Sequence, residues 1–245
     1  MKQRLRWGLA AVCLAIFLFS GAQLYQYWQE SRQSKDVYAR LSEAVRCPET
    51  DASEEETIPW PEVDFQALRE INSHVVGWIT CQGTNIHYPV VQGENNDYYL
   101  TRLFDGSYNP SGSLFLDCRV AADFSDAHSI IYGHYMKNGT MFAALTGYKE
   151  QDFYQQHPQM LLITPEGRFV VELFSGYVAS VEDSAWNISF KTEEEFAEWL
   201  EEITERSTFQ SDILPSVQDQ ILTCSTCSYD FDNARFVVHG ILREN

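Results

Sequence analysis

The stretch "DQILTCSTCSYDFDNARFVVHGIL", residues 219–242, contains two apolar and β-branched runs separated by the polar segment "SYDFDN". Such runs predict two strands joined by a turn, and the return strand begins at Arg235. Successive side chains of a strand point to opposite faces. Cys224 and Cys227, which are three residues apart, are therefore expected on opposite faces of the first strand.

The C-x-x-C spacing is also typical of redox dithiols and of zinc sites. A redox pair or a zinc site is therefore the alternative interpretation. A disulfide needs Cα atoms within ~7 Å of each other, whereas an extended strand separates residues three apart by ~10 Å. Redox dithiols lie at the start of a helix, and a zinc site would have to recruit histidines such as His128 and His134. We therefore expect one reactive thiol, Cys227, and neither a metal nor a cofactor.

Six further runs of β-branched and aromatic residues, bounded by Gly, Asn and Pro, precede this hairpin. They are "HVVGWIT" (74–80), "NIHYPVV" (85–91), "GSLFLD" (112–117), "HSIIYG" (128–133), "QMLLIT" (159–164) and "RFVVELFSGYVA" (168–179). Together with the two runs of the hairpin they make eight candidate strands, which favours a β-barrel or a β-sandwich.

Helical patterns interrupt the strands. In "KTEEEFAEWLEEITERS" (191–207), Thr192 and Glu195 form a capping box. Phe196, Trp199, Leu200 and Ile203 then fall on one face of an amphipathic helix. Shorter helices are predicted at 64–72, 139–148 and 150–156. The fold class is therefore mostly β with added helices (α+β).

The N-terminus carries Lys2, Arg4 and Arg6, followed by a segment that is apolar from Trp7 to Leu24 apart from two polar residues. That length is close to the ~20 residues needed to cross a bilayer, and the positive-inside rule places the basic end in the cytoplasm. A cleaved signal peptide is the alternative, but no clear A-x-A site follows the apolar core. We predict a cytoplasmic segment at 1–6, a transmembrane signal anchor at 7–28, an extracellular stalk at 29–61 and a catalytic domain at 62–245.

Charge and cysteine content restrict the partners. The chain has 35 acidic and 17 basic residues and a formal net charge of −18, so nucleic acid and anionic lipid are poor partners. An odd number of cysteines lies outside the predicted span, so at least one thiol has no intramolecular disulfide partner. These cysteines are Cys47, Cys81, Cys118, Cys224 and Cys227, while Cys13 lies within the span.

A cysteine nucleophile needs a nearby base. His134 is the candidate because it follows the strand "HSIIYG", and functional groups are often presented where a strand passes into a loop. The other histidines are interpreted as structural: His74, His87, His128, His157 and His239.

Three motifs resemble the class B sortases, which are cysteine transpeptidases. They are "TCSTC" (223–227), "YGH" (132–134) and "DNARFVVHG" (232–240), and they occur in the family's order. The resemblance extends through "VVGWITCQGTNIHYPVVQGENNDYYL" (75–100), "GSLFLDCR" (112–119) and the helix at 192–206, and covers roughly residues 62–243. Cys224 departs from the family pattern, which usually has Leu there; a buried cysteine can replace a small hydrophobic residue.

The resemblance implies an eight-stranded sortase-like barrel with a long amphipathic helix before the nucleophile strand. It implies that Cys227 is the nucleophile, that His134 is the general acid and base, and that Arg235 stabilises the oxyanion. The alternative for Arg235 is a surface cation paired with Asp230 or Asp232. The positions implied to contact substrate are Asn96, Leu100, Ser225 and Thr226.

The reaction implied is cleavage of a C-terminal sorting signal after threonine, through a thioacyl-enzyme, followed by transfer to the amine of a peptidoglycan precursor. The partners would be a surface protein that carries the signal and the amine acceptor, outside a single-pass membrane anchor. One alternative uses the same chemistry with a pilin lysine as the acceptor. The alternative from another class is a membrane-tethered C-x-x-C redox or metal-binding protein.

Overall fold

The computed structural model describes residues 2–46 and 60–245, so Cys47 and residues 48–59 of the predicted stalk lie outside the described residues. The α-helices are α1 (Lys2–Leu41), α2 (Phe65–Ile71), α3 (Gln151–Gln156) and α4 (Glu193–Glu205). The strands are β1 (Val45–Arg46), β2 (Glu62–Val63), β3 (Val75–Thr80), β4 (His87–Val91), β5 (Leu114–Leu116), β6 (His128–Tyr132), β7 (Gln159–Ile163), β8 (Arg168–Ala179), β9 (Ile221–Cys227) and β10 (Arg235–Glu244). Short 3-10 helices span Ser42–Ala44, Tyr98–Leu100, Phe142–Lys149 and Ser184–Trp186.

Strands β3 to β10 form a closed barrel in the order β10-β8-β7-β3-β4-β5-β6-β9. The pairs β4–β5 and β6–β9 are parallel, and the other neighbours are antiparallel. Each predicted run corresponds to one barrel strand, which confirms the predicted eight-stranded barrel. The segment predicted as a helix at 139–148 differs: it is a 3-10 helix that begins at Phe142, because Gly139 and Met141 before it have positive φ.

The hairpin of β9 and β10 sets the register of the residues of interest. Cys227 lies opposite Arg235, and Thr223 lies opposite His239. Strand β6 runs parallel on the other side of β9, with Tyr132 beside Ser225. One end of these three strands therefore brings together the end of β6, the end of β9 and the start of β10.

Helix α4 closes the opposite part of these strands, as its amphipathic pattern predicts. Its apolar face is buried against β8, β9 and β10. Thr192 Oγ1 accepts a hydrogen bond from the Glu195 backbone N–H at 3.2 Å, and the Glu195 carboxylate accepts from the Lys191 N–H at 2.8 Å. The helix is thereby capped at its first turn, where the orphan backbone donors lie.

Helix α1 has two parts with different surroundings. Its first half exposes large apolar side chains, such as Phe17 at 72% and Leu24 at 70%, and the helix is long and apolar enough to cross a membrane. Its second half packs on the barrel through Val37 and Leu41, which are i and i+4 on one face and buried. The expected stalk therefore begins as a helix that packs against the domain.

Candidate active site

A groove of about 440 Å³ opens at the end of β6, β9 and β10. All seven site residues predicted from the sequence line it: Asn96, Leu100, His134, Ser225, Thr226, Cys227 and Arg235. Four further side chains form its apolar and aromatic floor and walls: Phe115, Tyr132, Val181 and Trp186. The folded chain thus collects into one groove residues from four separate regions of the sequence.

Backbone hydrogen bonds hold the end of β9 in place. The Gly133 N–H donates to the Ser225 carbonyl at 3.0 Å, and the Ser228 N–H donates to the Ala234 carbonyl at 3.0 Å. Cys227 is the last residue of the strand and is partly exposed. Its thiol therefore sits on a rigid strand end and is still reachable from the groove.

The thiol of Cys227 and the imidazole of His134 influence each other's protonation. A hydrogen bond with His134 lowers the pKa of Cys227 against the opposing effect of burial, and the positive charge of Arg235 lowers it further. The same hydrogen bond raises the pKa of His134, although burial and Arg235 oppose that shift. The site therefore favours a thiolate beside an imidazolium, the reactive form of a cysteine nucleophile.

The group that orients His134 is a backbone carbonyl. The Nε2 atom of His134 lies 2.8 Å from the Leu100 carbonyl oxygen. A carbonyl can only accept a hydrogen bond, so Nε2 carries the hydrogen. Nδ1 is then the nitrogen that can take and return a proton. Sequence analysis associated Leu100 with substrate and missed this contact, because no side-chain signal identifies a backbone acceptor.

Arg235 lies directly opposite Cys227 in the hairpin, and its Nη1 donates to the Ala234 carbonyl at 3.0 Å. The alternative ion pair with Asp230 is absent, because Asp230 pairs with Lys149 at 2.5 Å. Within the described residues Arg235 makes no ion pair. The guanidinium therefore remains available to a ligand in the groove.

Aromatic side chains that sequence analysis did not single out as groove residues form the floor of the groove. The ring of Tyr132 lies 5.3 Å from that of Phe115 and 6.1 Å from that of Trp186. The Tyr132 hydroxyl donates to Asp117 at 2.9 Å. Although burial opposes it, the hydrogen bonds from Arg119 hold the pKa of Asp117 at about 2. A buried, ionised carboxylate thus anchors the floor.

Polar groups on the groove wall differ in whether they already have partners. The Asn96 side-chain oxygen accepts from the Cys118 N–H at 2.8 Å, which fixes its amide. Ser225 Oγ and Thr226 Oγ1 are buried and have no partner within the described part of the chain. A buried hydroxyl without a partner is unfavourable. Ser225 shares the strand face of Cys227, so a peptide in the groove would gain by supplying a partner to its hydroxyl, whereas Thr226 lies on the opposite face with Cys224.

Cys224 has a different environment from Cys227, as strand alternation predicts. It is 2% exposed and belongs to the barrel core, where burial raises the pKa of its thiol. Among residues 2–46 and 60–245 no group of His, Cys, Asp and Glu is arranged to hold a metal ion. The two cysteines therefore do not act as a pair in this fold.

No family model matches the sequence, but curated relatives and solved structures do. The chain is 31% identical to sortase B of Listeria monocytogenes over 99% of this chain and 98% of that protein. It is 30% identical to sortase B of Staphylococcus aureus over 92% of this chain and 91% of that protein.

Solved structures give the same result. A sortase B of B. anthracis superposes with a TM-score of 0.77 at 31% identity, covering 89% of this chain and all of that one (100%). A substrate complex of Staphylococcus aureus sortase B superposes with a TM-score of 0.70 at 32% identity, covering 74% of this chain and 84% of that one. With this barrel, and with relatives matched over nearly their whole length, the chain belongs to the class B sortases, a family of cysteine transpeptidases.

Proposed function

We propose that this sortase cleaves a C-terminal sorting signal after threonine and transfers the released acyl group to the amine of a cell-wall precursor. The observation that carries the proposal is the convergence of Cys227, His134 and Arg235 on one groove, where Cys227 lies opposite Arg235 and where His134 and Arg235 lower the pKa of its thiol. The substrate complex known for Staphylococcus aureus sortase B supports the use of this groove for a peptide.

In the first half-reaction the Cys227 thiolate attacks the carbonyl carbon of threonine. A bond forms between Sγ and that carbon, and the scissile C–N bond breaks. The departing amine takes the proton from Nδ1 of His134, which becomes neutral. The Leu100 carbonyl keeps the other ring nitrogen protonated, so the donor is always the same atom.

Arg235 stabilises the negative charge that develops on the scissile carbonyl oxygen. Its guanidinium is permanently charged and presents several donors in a fixed plane, and it has no competing carboxylate in the described residues. Asn96, Leu100, Ser225 and Thr226 bind the peptide around the scissile bond. The free hydroxyl of Ser225, which shares a strand face with Cys227, supplies a hydrogen bond that a bound ligand completes.

The second half-reaction reverses these roles. A neutral amine attacks the thioacyl carbon and gives its proton to Nδ1 of His134, while Sγ leaves as the thiolate. The thiolate beside the imidazolium is thereby restored. Every group that the two steps need is supplied by the chain and its two substrates, so the proposed reaction takes no cofactor.

The proposed location is the outer face of the cell membrane. Residues 7–28 would form a signal anchor with residues 1–6 in the cytoplasm, because the basic residues precede the apolar segment. The length and composition of α1 support a membrane span. Residues 29–61 would then connect the anchor to the catalytic domain at 62–245, where both substrates are available.

The test uses the full chain in detergent with a library of sorting peptides and an added amine. We expect a peptide cut after threonine, a thioacyl adduct on Cys227 by mass spectrometry, and the amine joined to the new carboxyl terminus. Cys227→Ala should abolish the reaction. Cys224→Ala is the matched control and should keep it, because that thiol is buried in the core.

Equal loss in both cysteine variants would contradict the proposal and favour a dithiol mechanism. The acceptor is read from the product in the same experiment: a cell-wall precursor amine supports wall anchoring, whereas a lysine of a pilin subunit would assign the same chemistry to pilus assembly.

A further inference from the structure

The carbonyl that orients His134 is itself supported from behind by Gly112. This glycine has a φ of +57°, and a Cβ placed on it would lie 2.5 Å from the Tyr99 oxygen and 2.7 Å from the Leu100 oxygen. Only glycine fits so close an approach. Gly112 therefore packs directly against the backbone carbonyls of Tyr99 and Leu100.

Gly112 is held in turn by a tyrosine of α1. The Tyr38 hydroxyl donates to the Gly112 carbonyl at 2.9 Å and lies 3.2 Å from Ser113 Oγ. The Ser113 N–H donates to the Tyr99 carbonyl at 3.0 Å. The Tyr38 ring also packs edge-on against Tyr88, with the centroids 5.1 Å apart. Tyr38 thus joins α1 to the segment that carries Leu100.

A second contact attaches the same segment to α1. Asn109 is fully buried, and its side-chain amide donates to the Glu30 carbonyl at 2.8 Å and to Gln33 Oε1 at 3.1 Å. Its backbone N–H donates to the Thr101 carbonyl at 3.0 Å. Residues 99–113 are therefore fastened to α1 at two places, at Glu30 and Gln33 and again at Tyr38.

We propose that Tyr38 is a positioning residue for the transpeptidase reaction: through Gly112 it holds the Leu100 carbonyl where it orients the imidazole of His134 toward Cys227. The helix that leads to the predicted membrane anchor is then part of the catalytic architecture. The inference rests on the proposed roles of Cys227 and His134.

The consequence is electrostatic and therefore measurable. The contact with the Leu100 carbonyl stabilises the imidazolium, and so raises the pKa of His134, secondarily to the hydrogen bond with Cys227. The other charged group that faces His134 is Arg235 on β10. Tyr88 and Asp105 are the titratable groups that face the Tyr38 hydroxyl. If the Leu100 carbonyl moves away from His134, the imidazolium form becomes less stable. The Cys227 thiolate beside it then becomes less stable too.

The experiment compares Tyr38→Phe with Tyr154→Phe in the full chain in detergent. Tyr154 is the matched control: its hydroxyl is also hydrogen-bonded, to Ser211 Oγ at 2.7 Å, but it lies on α3 and makes no hydrogen bond to residues 99–113. The rate of iodoacetamide labelling of the Cys227 peptide is measured by mass spectrometry from pH 5 to 10, together with kcat and KM.

In Tyr38→Phe we expect the labelling midpoint to move to higher pH, and both labelling near pH 7 and kcat to fall about two- to twelvefold, the worth of one hydrogen bond. KM should change less than kcat, because the change reaches the groove only through Leu100. Tyr154→Phe should behave as the wild type. A Tyr38→Phe variant whose midpoint equals that of Tyr154→Phe would overturn the inference.

Two further measurements distinguish a folding defect in Tyr38→Phe from failure of the inference, and failure of the inference from failure of the proposed function. If Tyr38→Phe does not fold, Gln33→Ala loosens the other attachment at Asn109 and should shift the midpoint in the same direction by a smaller amount; no shift counts against the inference. If wild-type Cys227 itself labels with the midpoint of an ordinary thiol, the proposed function fails and not only the role of Tyr38.

Discussion

Strands β6, β9 and β10 each contribute residues to two polar clusters at different places along the barrel. The open cluster, at the groove, consists of His134, Cys227 and Arg235; the closed cluster, under α4, consists of His128, Thr223 and His239. Both contain histidine on or next to the same strands. They differ in access to solvent and in their partners, and that difference decides which form of the imidazole is stable.

Hydrogen bonds in the closed cluster follow one another in a single direction. Nδ1 of His128 lies 2.6 Å from the Asn187 carbonyl, so it carries the hydrogen. Its Nε2 therefore accepts from the Thr223 hydroxyl at 2.6 Å, and that hydroxyl accepts from Nδ1 of His239 at 2.7 Å. This order holds when the His128 imidazole is neutral, and it places a hydrogen on Nδ1 of His239.

Burial under α4 also favours neutral imidazoles in the closed cluster. The ring of Trp199 lies 4.6 Å from that of His128 and 6.0 Å from that of His239. Burial lowers the pKa of His128 to about 4 and that of His239 well below its ordinary value. In the open cluster, Cys227 raises the pKa of His134 instead. The protonation of a histidine on or next to these strands thus depends on its partner and its burial, not on its strand.

The largest expected effect distinguishes Arg235 at the open cluster from Arg206 beside the closed cluster. Arg235→Gln removes the charge proposed to stabilise the developing oxyanion, so we expect kcat to fall about 10²- to 10³-fold. The midpoint for labelling of Cys227 should also rise, because Arg235 lowers the pKa of that thiol. Both are measured on the full chain with a sorting peptide and iodoacetamide.

Arg206→Gln is the matched control beside the closed cluster. Arg206 pairs with Asp183 at 2.7 Å and lies 4.0 Å from the Tyr177 ring centroid. Its loss should lower the melting temperature and leave kcat of the folded enzyme unchanged. A similar loss of kcat in both variants would mean that the groove senses net charge rather than the position of Arg235.

As the pH falls, the closed cluster should lose its contribution to stability before Asp117 does. The folded state holds the pKa of His128 at about 4, below the ordinary value of about 6.5. Its contribution to stability is therefore complete above about pH 6.5 and is lost as the pH falls toward 4, by up to about 3 kcal/mol. Urea unfolding of the full chain at pH 7 and pH 4.5 measures this loss.

His128→Gln provides the comparison, because it removes the titrating group at the same place. Its free energy of unfolding is expected to be lower at pH 7 and to change less between pH 7 and 4.5. Asp117, whose pKa is held at about 2 by Arg119 against the effect of burial, loses its stabilisation only below about pH 4. An equally steep acid loss in His128→Gln would assign the effect to groups outside the closed cluster.

Much of the fold could be predicted because its signals are local. Alternation in "ILTCSTC" separates Cys224 from Cys227, and the i, i+3, i+4 spacing after Thr192 predicts the buried face of α4. Both patterns state which face a side chain occupies relative to its own backbone. These two predictions do not depend on contacts with the rest of the chain.

The parts that could not be predicted depend on contacts between distant segments. The Leu100 carbonyl has no side-chain signature, and the link from Tyr38 to Gly112 joins residues 74 positions apart. His128 and His239 read as ordinary strand histidines until the barrel closes and brings Thr223 between them. Sequence periodicity identifies faces, but only closure of the barrel identifies neighbours.

The smallest expected effect concerns two serines, Ser225 and Ser129, whose buried hydroxyls each lack a hydrogen-bond partner among the described residues. Ser225 Oγ at the groove is buried without a partner in the described residues. If a bound peptide supplies that partner, Ser225→Ala should raise KM about two- to twelvefold, the worth of one neutral hydrogen bond, with kcat unchanged. Steady-state kinetics with a sorting peptide measure both constants.

Ser129→Ala is the control that completes this test. Ser129 Oγ is also buried without a partner among the described residues, but it lies on β6 beside Leu222 and does not line the groove. Removing it orphans no other group, so KM should not change and stability should stay equal or rise slightly. If both variants raised KM alike, the effect would come from strand packing. If neither did, the hydroxyl of Ser225 would be as structural as that of Ser129, and the groove would recognise its peptide without it.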